Sequence, residues 1–355
     1  MIVRAARLAA ALIAPILIAP AFIACGAQAA PKPAIIAYLP TFRGDMAAHL
    51  DAVDLSRLTQ IDIAFVNPAP DGAVVRADAL ACEVRPQVGG ATAATLAELR
   101  TVVSRAHAAG VKVFASLGGG VIPACAGDWA TLLSPAMRPL VEANLLQFAR
   151  DFDLDGLDID LEWRVLSAVD AAGDYTPFAR DLSRALHRDG KRLSCATASQ
   201  PGGMIPAAAI PYFDTIGVMS YDGVGPDWGT PGEEHATLDM ARRDLAVWRA
   251  RGARKDRLVL GVPFYGHGFG AYKGGYDYKD ILAAHGPEAA ESDVVGRLCA
   301  GCDYITYNGR PTIRLKAELA RTGAAGVMIW DITGDAAGAD SLLGALYESL
   351  NADAK

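Results

Sequence analysis

Six carboxylates fall within twelve residues in the segment Asp151-Phe-Asp153-Leu-Asp155-Gly-Leu-Asp158-Ile-Asp160-Leu-Glu162. From Gly156 onward acidic and apolar residues alternate strictly. In a strand this two-residue repeat sends Asp158, Asp160 and Glu162 to one face and Leu157, Ile159 and Leu161 to the other. Like charges held that close raise at least one carboxyl pKa, so a carboxyl can keep its proton near neutral pH and act as a general acid. Two other readings compete. Asp151, Asp153, Asp155, Gly156 and Glu162 also satisfy the calcium-loop pattern D-x-D-x-D-G-x₅-E. Against it, the eighth loop position is normally apolar but here is Asp158, no second copy exists, and the alternation suits a strand. A solvated acidic face is opposed by the intervening Leu and Ile, which demand burial.

Such a ladder needs a framework. Eight short β-like runs are spaced along the chain: Ala34 to Leu39, Ile61 to Val66, Val111 to Leu117, Gly156 to Leu161, Leu193 to Ala198, Thr215 to Ser220, Leu258 to Val262 and Gly326 to Ile332. Helix-like stretches separate most of them. Leu96, Leu99 and Val103 share a face ended by Gly110, and Ser134-Pro135 is read as opening a helix through Val141, Leu145, Phe148 and Phe152. Alternating strands and helices predict parallel pairing through right-handed crossovers. An open doubly wound sheet would satisfy the same alternation. Polar and aromatic residues, however, gather at the C-terminal ends of many runs: Tyr38, Ser116, Asp158 to Glu162, Tyr221 with Asp222, Tyr265, and Trp330 with Asp331. A barrel assembles its site from many strand ends, whereas an open sheet concentrates it at one switch point. The expected fold is therefore α/β, a closed (β/α)₈ TIM barrel in a single domain over residues 31–355. The segment from Phe264 to Ala325 is long enough for a lid or small subdomain; it is read as a decorated loop plus a helix from Thr312 to Arg321, without a large α+β insertion.

The composition is that of a globular protein, with 52% hydrophobic and 21% charged residues among 355. A net charge of −7 argues against a nucleic-acid partner and fits a neutral or cationic ligand better. Residues 1–30 have a different character: Arg4 and Arg7, an apolar run from Leu8 to Ala24, then Ala27-Gln28-Ala29. That order predicts a secretory signal peptide, hence an exported, secreted or periplasmic protein. Pro15 and Pro20 oppose a spanning helix. Cys25 stands where a lipoprotein signal places its lipidated cysteine, although Phe22 is unusual three positions earlier, so a lipid anchor stays open. Removal of the leader leaves five cysteines. In an exported chain Cys299 and Cys302 are expected to form a local disulfide, since a lone C-x-x-C is too few ligands for zinc. Cys82 with Cys125 is the pair left by elimination, and Cys195, in an apolar strand pattern, is the buried free thiol.

With those elements in place, the chain resembles the family 18 glycoside hydrolases, whose signature is D-x-x-D-x-D-x-E at the end of the fourth barrel strand. Asp155, Asp158, Asp160 and Glu162 match it. Further matches are Ser116-Leu-Gly118-Gly119 on the third strand, Met219-Ser-Tyr221-Asp222 on the sixth, Leu260-Gly-Val-Pro-Phe-Tyr265-Gly on the seventh, and Gly326-Val-Met-Ile-Trp330-Asp on the eighth. Each motif is weak alone; five in order at barrel spacing are specific.

The resemblance implies retaining, substrate-assisted hydrolysis of β-1,4-linked N-acetylglucosamine polymers such as chitin. Glu162 would protonate the glycosidic oxygen while the substrate's own N-acetyl oxygen attacks the anomeric carbon. Asp160 would orient the acetamido group and stabilise the oxazolinium intermediate, sharing a proton with Asp158. Tyr221 would hydrogen-bond the acetamido oxygen and Asp222 would support it. Trp330 would form the apolar floor, with Tyr38, Tyr265, Met219 and Trp163 as further substrate contacts. No metal or organic cofactor is implied, and a monomer is expected. Bland readings stand beside these: Tyr221 and Asp222 as a strand cap, Trp330 or Met219 as core, Ser116, Gly118 and Gly119 as a tight barrel-end turn, and Trp129, Trp163 and Trp228 as ordinary packing. His267 stands where the family often has Arg, and a lone His is more often structural. Many family chitinases read W-E-Y-P through the catalytic glutamate, whereas this chain has Leu161-Glu162-Trp163-Arg164. The short segment before the eighth strand implies an open cleft and endo cleavage. An endo-β-N-acetylglucosaminidase on N-glycans is the nearest alternative, and a non-catalytic carbohydrate-binding barrel the alternative of another class.

Overall fold

The computed structural model describes residues 1–2, 32–82 and 95–352. The leader, with Cys25, lies almost wholly outside them. Eight parallel strands close into a barrel: β1 (Ala34–Pro40), β2 (Gln60–Val66), β3 (Lys112–Gly119), β4 (Gly156–Leu161), β5 (Arg192–Thr197), β6 (Thr215–Val218), β7 (Leu258–Pro263) and β8 (Gly326–Trp330). Each pairs with the next, and β1 pairs with β8 through Ala34 opposite Gly326. All eight coincide with the apolar runs of the sequence to within a few residues. The acidic ladder is thus a barrel strand with its carboxylates facing inward, and the open-sheet alternative does not apply.

Side-chain alternation sorts the strands into two cores. Ile35, Ala37 and Leu39 of β1 and Leu157, Ile159 and Leu161 of β4 belong to the large core between strands and helices. Ile36 and Tyr38 turn the other way, joining Ala64, Ala196, Val259 and Met328 in a second cluster within the barrel. Outside, Leu99, Val102, Val103 and Ala106 are the buried face of the helix Leu96–Ala108, whose N-cap Thr95 accepts from the Glu98 amide.

Two expectations need correcting. The helix after Ser134 runs from Arg138 to Asp151, with Pro139 in its first turn and Ser134 to Met137 in a preceding turn. Pro135 is therefore not its opening residue, because the later proline supplies the φ that a first turn tolerates. The segment after β7 is more than a decorated loop. Tyr265–Phe269, Gly274–Asp277, Val294–Gly296 and Tyr304–Thr306 form a four-stranded antiparallel sheet, with a helix at Tyr278–His285. Its strands are three to five residues long and two are rich in glycine, so they carry no apolar run that periodicity could detect. The insertion stays small, and the expected helix follows as Arg310–Gly323.

Cys82 is bonded to Cys125 and Cys299 to Cys302, while Cys195 is a buried free thiol, as the residue accounting expected.

Candidate active site

Register brings Ser116 of β3 and Ser194 of β5 opposite Asp158 of β4. Both hydroxyls donate to it, Ser116 Oγ to Oδ2 and Ser194 Oγ to Oδ1, each at 2.7 Å. The Tyr38 hydroxyl of β1 adds a third bond to Oδ2 at 2.9 Å. Burial pushes the Asp158 pKa up and these three donors pull it back, leaving it raised overall. Ser116 therefore holds a carboxylate in place and does more than shape a turn.

One step along the strand, Asp160 is 3% exposed and, among the described residues, its Oδ1 has no hydrogen-bond partner. Burial and then the charges of Glu162, Asp158 and Asp62 push its pKa well above the usual carboxylate range. The Asp158 charge, one step back on the same face of the strand, thus works against ionisation of Asp160. Glu162 follows as the residue that caps the helix Trp163–Ala171 without a side-chain hydrogen bond to it. Burial, with the nearby charge of Asp222, lifts the Glu162 pKa to about 7. A carboxyl poised there can give up a proton and take it back near neutral pH.

Glycine shapes the adjoining wall. Gly118 has φ +104°, and a Cβ there would lie 2.6 Å from the Asp160 carbonyl oxygen; a Cβ on Gly119 would lie 2.5 Å from the Phe65 ring. Both positions serve close packing of β3 against β4 and β2. Asn67 completes this wall, its Nδ2 donating to the Gly118 carbonyl at 2.9 Å.

Around the mouth, Trp330 lies 5.6 Å from Tyr38 edge-on and 5.4 Å from Phe65 in a stacked arrangement. Met219, Tyr221, Phe65 and Trp330 pack partly buried on the inner cluster, which places all four at the barrel's C-terminal end. Tyr221 meets Tyr265 edge-on at 6.1 Å, and the Tyr265 hydroxyl donates to Asp222 Oδ1 at 2.6 Å. Asp222 also accepts from His267 Nε2 at 2.8 Å. Burial would raise the Asp222 pKa, but the imidazoles of His235 and His267 and the Tyr265 hydroxyl outweigh it and hold the carboxylate ionised. Trp163 and Trp228 each expose 47% of their surface at the rim.

Several readings that the sequence left side by side are decided here. Asp155 sits at the other end of β4, accepting from the Val113 amide at 2.8 Å and contacting His107 Nε2 at 2.9 Å. A six-residue strand, about 20 Å long, separates it from Glu162, so the calcium-loop reading fails and Asp155 anchors the start of the strand. Trp129 is 2% exposed with its Nε1 donating to Asn67, which makes it packing and not a sugar platform. Sequence reasoning missed Asp62, buried in the barrel with Gln60 Nε2 donating to it at 2.7 Å, and Phe65 at the mouth. Asp62 has a signal in the Gln60-Ile-Asp62-Ile alternation of β2, where a single carboxylate does not stand out, and Phe65 has none. His235 was missed as well.

A (β/α)₈ barrel carrying a buried carboxylate ladder and an aromatic mouth at the C-terminal strand ends has the layout of a TIM-barrel enzyme, whose active site is built at that face. Residues 35–335 match the family described as glycosyl hydrolases family 18, and the chain belongs to that family. A chitinase from the chitin utilization locus of Flavobacterium johnsoniae superposes with a TM-score of 0.76 at 28% identity, over 91% of this chain and 95% of that one. A chitinase of Bacteroides thetaiotaomicron gives 0.71 at 26% identity, over 90% and 97%. Probable chitinase 10 of Drosophila melanogaster is 29% identical over 194 residues, 48% of this chain and 8% of its own length. The chain spans less than two thirds of the curated relatives it first matches, 8%, 28% and 58% of them.

Proposed function

We propose that this protein hydrolyses chitin or chitooligosaccharides, with Glu162 as general acid and base and with the substrate's acetamido oxygen as the nucleophile. The observation that carries this reading is the division of labour along β4. Glu162 is set near neutrality, while Asp160 beside it is buried, pushed above the usual carboxylate range by burial and neighbouring charge, and left among the described residues with an unpartnered Oδ1. That oxygen suits the N–H of an acetamido group, and a carboxylate there stabilises an adjacent cationic intermediate. Family membership and the likeness to the chitinases of Flavobacterium johnsoniae and Bacteroides thetaiotaomicron support the substrate.

In the reaction, the sugar at the cleavage point lies over Trp330 with its acetamido group turned into the barrel mouth. Asp160 holds the acetamido N–H, and the Tyr221 hydroxyl bonds its oxygen. Glu162 delivers its proton to the glycosidic oxygen as the acetamido oxygen closes on the anomeric carbon. Water then opens the oxazolinium ring, giving its proton to Glu162, and the configuration is retained. Asp158, fixed by three hydroxyls, takes up the shared proton as Asp160 becomes anionic. Cleavage is internal to the chain, and the protein acts after export.

The test offers the purified chain both chitohexaose and a high-mannose glycoprotein, following products by mass and anomeric form by NMR. The reading requires cleavage of the first, with the β-anomer formed initially. Cleavage of the glycoprotein alone would identify an endo-β-N-acetylglucosaminidase, and binding without cleavage would identify a carbohydrate-binding barrel.

A further inference from the structure

Three ligating side chains converge beside the cleft from separate segments: Asp222 just after β6, His235 in the loop leading to the helix Leu238–Ala250, and His267 in the first strand of the small sheet. Their donor atoms all lie within 4.8 Å of one another. His267 Nε2 is 2.8 Å and His235 Nδ1 is 3.5 Å from Asp222 Oδ1. The two imidazoles meet edge to face with centroids 5.1 Å apart.

His235 is the informative member. It is fully buried, and among the described residues its Nε2 has no hydrogen-bond partner while its Nδ1 meets Asp222 Oδ1 only at 3.5 Å. A neutral imidazole carries one donor and one acceptor, and leaving either unmet in a buried place is unfavourable. The backbone around it is, by contrast, well anchored. Its N–H donates to Thr306 Oγ1 at 3.2 Å, its carbonyl accepts from Gly223 at 2.8 Å, and Thr306 is the strand partner of His267. The loop is thus fastened so as to present an imidazole with unmet valences toward a carboxylate and a second imidazole.

We propose that Asp222, His235 and His267 form a binding site for a divalent transition ion of the zinc or copper class. Two imidazoles and one carboxylate are the donors such ions prefer, whereas calcium and magnesium favour all-oxygen sets. Bonds of about 2.0–2.1 Å in tetrahedral geometry place ligand atoms roughly 3.3–3.5 Å apart. The two observed approaches to Asp222 Oδ1, 2.8 and 3.5 Å, lie within about half an ångström of that range, and the imidazole–imidazole edge, no longer than 4.8 Å, closes on the ion by at most roughly 1.5 Å. His267 would exchange its hydrogen bond to Asp222 for the metal. The fourth position would face the cleft, where Asp222 exposes 41% of its side chain.

This inference does not depend on the hydrolytic reading, and its test does not use turnover. The tag-free, metal-stripped full chain is titrated with Co²⁺, read by visible absorption, and with Cu²⁺, read by electron paramagnetic resonance. One ion per chain is expected, with the intense bands of a four-coordinate cobalt site, displacement by Zn²⁺, and hyperfine coupling from two nitrogens. In His267→Arg, checked for folding by circular dichroism, affinity should fall by more than the roughly tenfold to hundredfold that losing a supporting residue costs. His235→Gln should do the same. The proposal is overturned by sub-stoichiometric binding, by binding that survives His267→Arg, or by an all-oxygen copper spectrum, which would put the ion on Asp158, Asp160 and Glu162. Should both variants misfold, the nitrogen count in the unaltered protein decides alone.

Discussion

Tyr38 and Asp158, 120 residues apart in sequence, are joined across the barrel by a hydrogen bond of 2.9 Å from the Tyr38 hydroxyl to Oδ2. Since Asp158 also receives the Ser116 and Ser194 hydroxyls, Tyr38→Phe removes one of three donors without opening a cavity. A hydrogen bond to a charged group contributes about 1.5–3 kcal/mol. Much of that is needed only when the Asp158–Asp160 pair shifts its proton, so the loss should appear mainly in kcat. A fall of roughly tenfold to hundredfold in kcat on chitohexaose is expected, with KM within about twofold and a Tm close to that of the unaltered protein. A raised KM at constant kcat would instead assign Tyr38 to substrate binding.

Glu162→Gln keeps the shape of the side chain and removes the transferable proton. Turnover should drop by about 10²-fold to 10⁴-fold, the usual contribution of a positioned acid, while chitohexaose still binds by calorimetry. Turnover within about threefold of the unaltered protein would remove Glu162 from the mechanism.

The raised pKa of Glu162 also has a sign in the stability curve. Its unfolded value is near 4.5 and its folded value about 7, so the folded state binds the proton more tightly. The contribution to stability is fully present below about 4.5 and is lost as pH rises through 7. Other carboxylates superimpose their own dependence, so the difference between the unaltered protein and Glu162→Gln is the measurement. Denaturant melts at several pH values should show the unaltered protein losing stability relative to the variant between about pH 4.5 and 7. In parallel, the basic limb of kcat/KM should fall near pH 7. A flat difference across that window would mean that the carboxyl is not held protonated by the fold.

Every barrel strand was legible in the sequence because a strand buried between helices and lumen must be a largely apolar run, and β4, the strand richest in carboxylates, announced its chemistry by strict alternation. Glu162, Asp160 and Tyr221 could be placed at the mouth because strand direction alone determines which end carries the site. What stayed hidden depends on contacts between distant segments. Nothing in Asp155 distinguishes a strand anchor from a site residue until Val113 and His107 are seen around it. The short glycine-rich strands of the small sheet gain their order from one another, as Tyr265 opposite Asp277 shows, and not from their own composition. For the same reason His235 and His267 each looked like a solitary histidine, since only the fold brings them to Asp222.

Trp163 occupies the position immediately after the acid, in a left-handed backbone conformation with φ +44°, and exposes 47% of its surface. A non-glycine residue rarely adopts that conformation without a gain elsewhere. Part of the ring is supported from below, since a Cβ on Gly203 would lie 3.0 Å from it, while the rest faces solvent at the rim. A supported, half-exposed indole is suited to stacking on a sugar face, which contributes about 0.5–1.5 kcal/mol for an aromatic pair. Trp163→Ala should therefore raise KM for long chitooligosaccharides by roughly twofold to tenfold, with kcat nearly unchanged because the ring touches no reacting atom. The effect should shrink for short oligomers that do not reach the rim. Equal losses at every chain length, carried in kcat, would show instead that Trp163 acts by holding Glu162 in place.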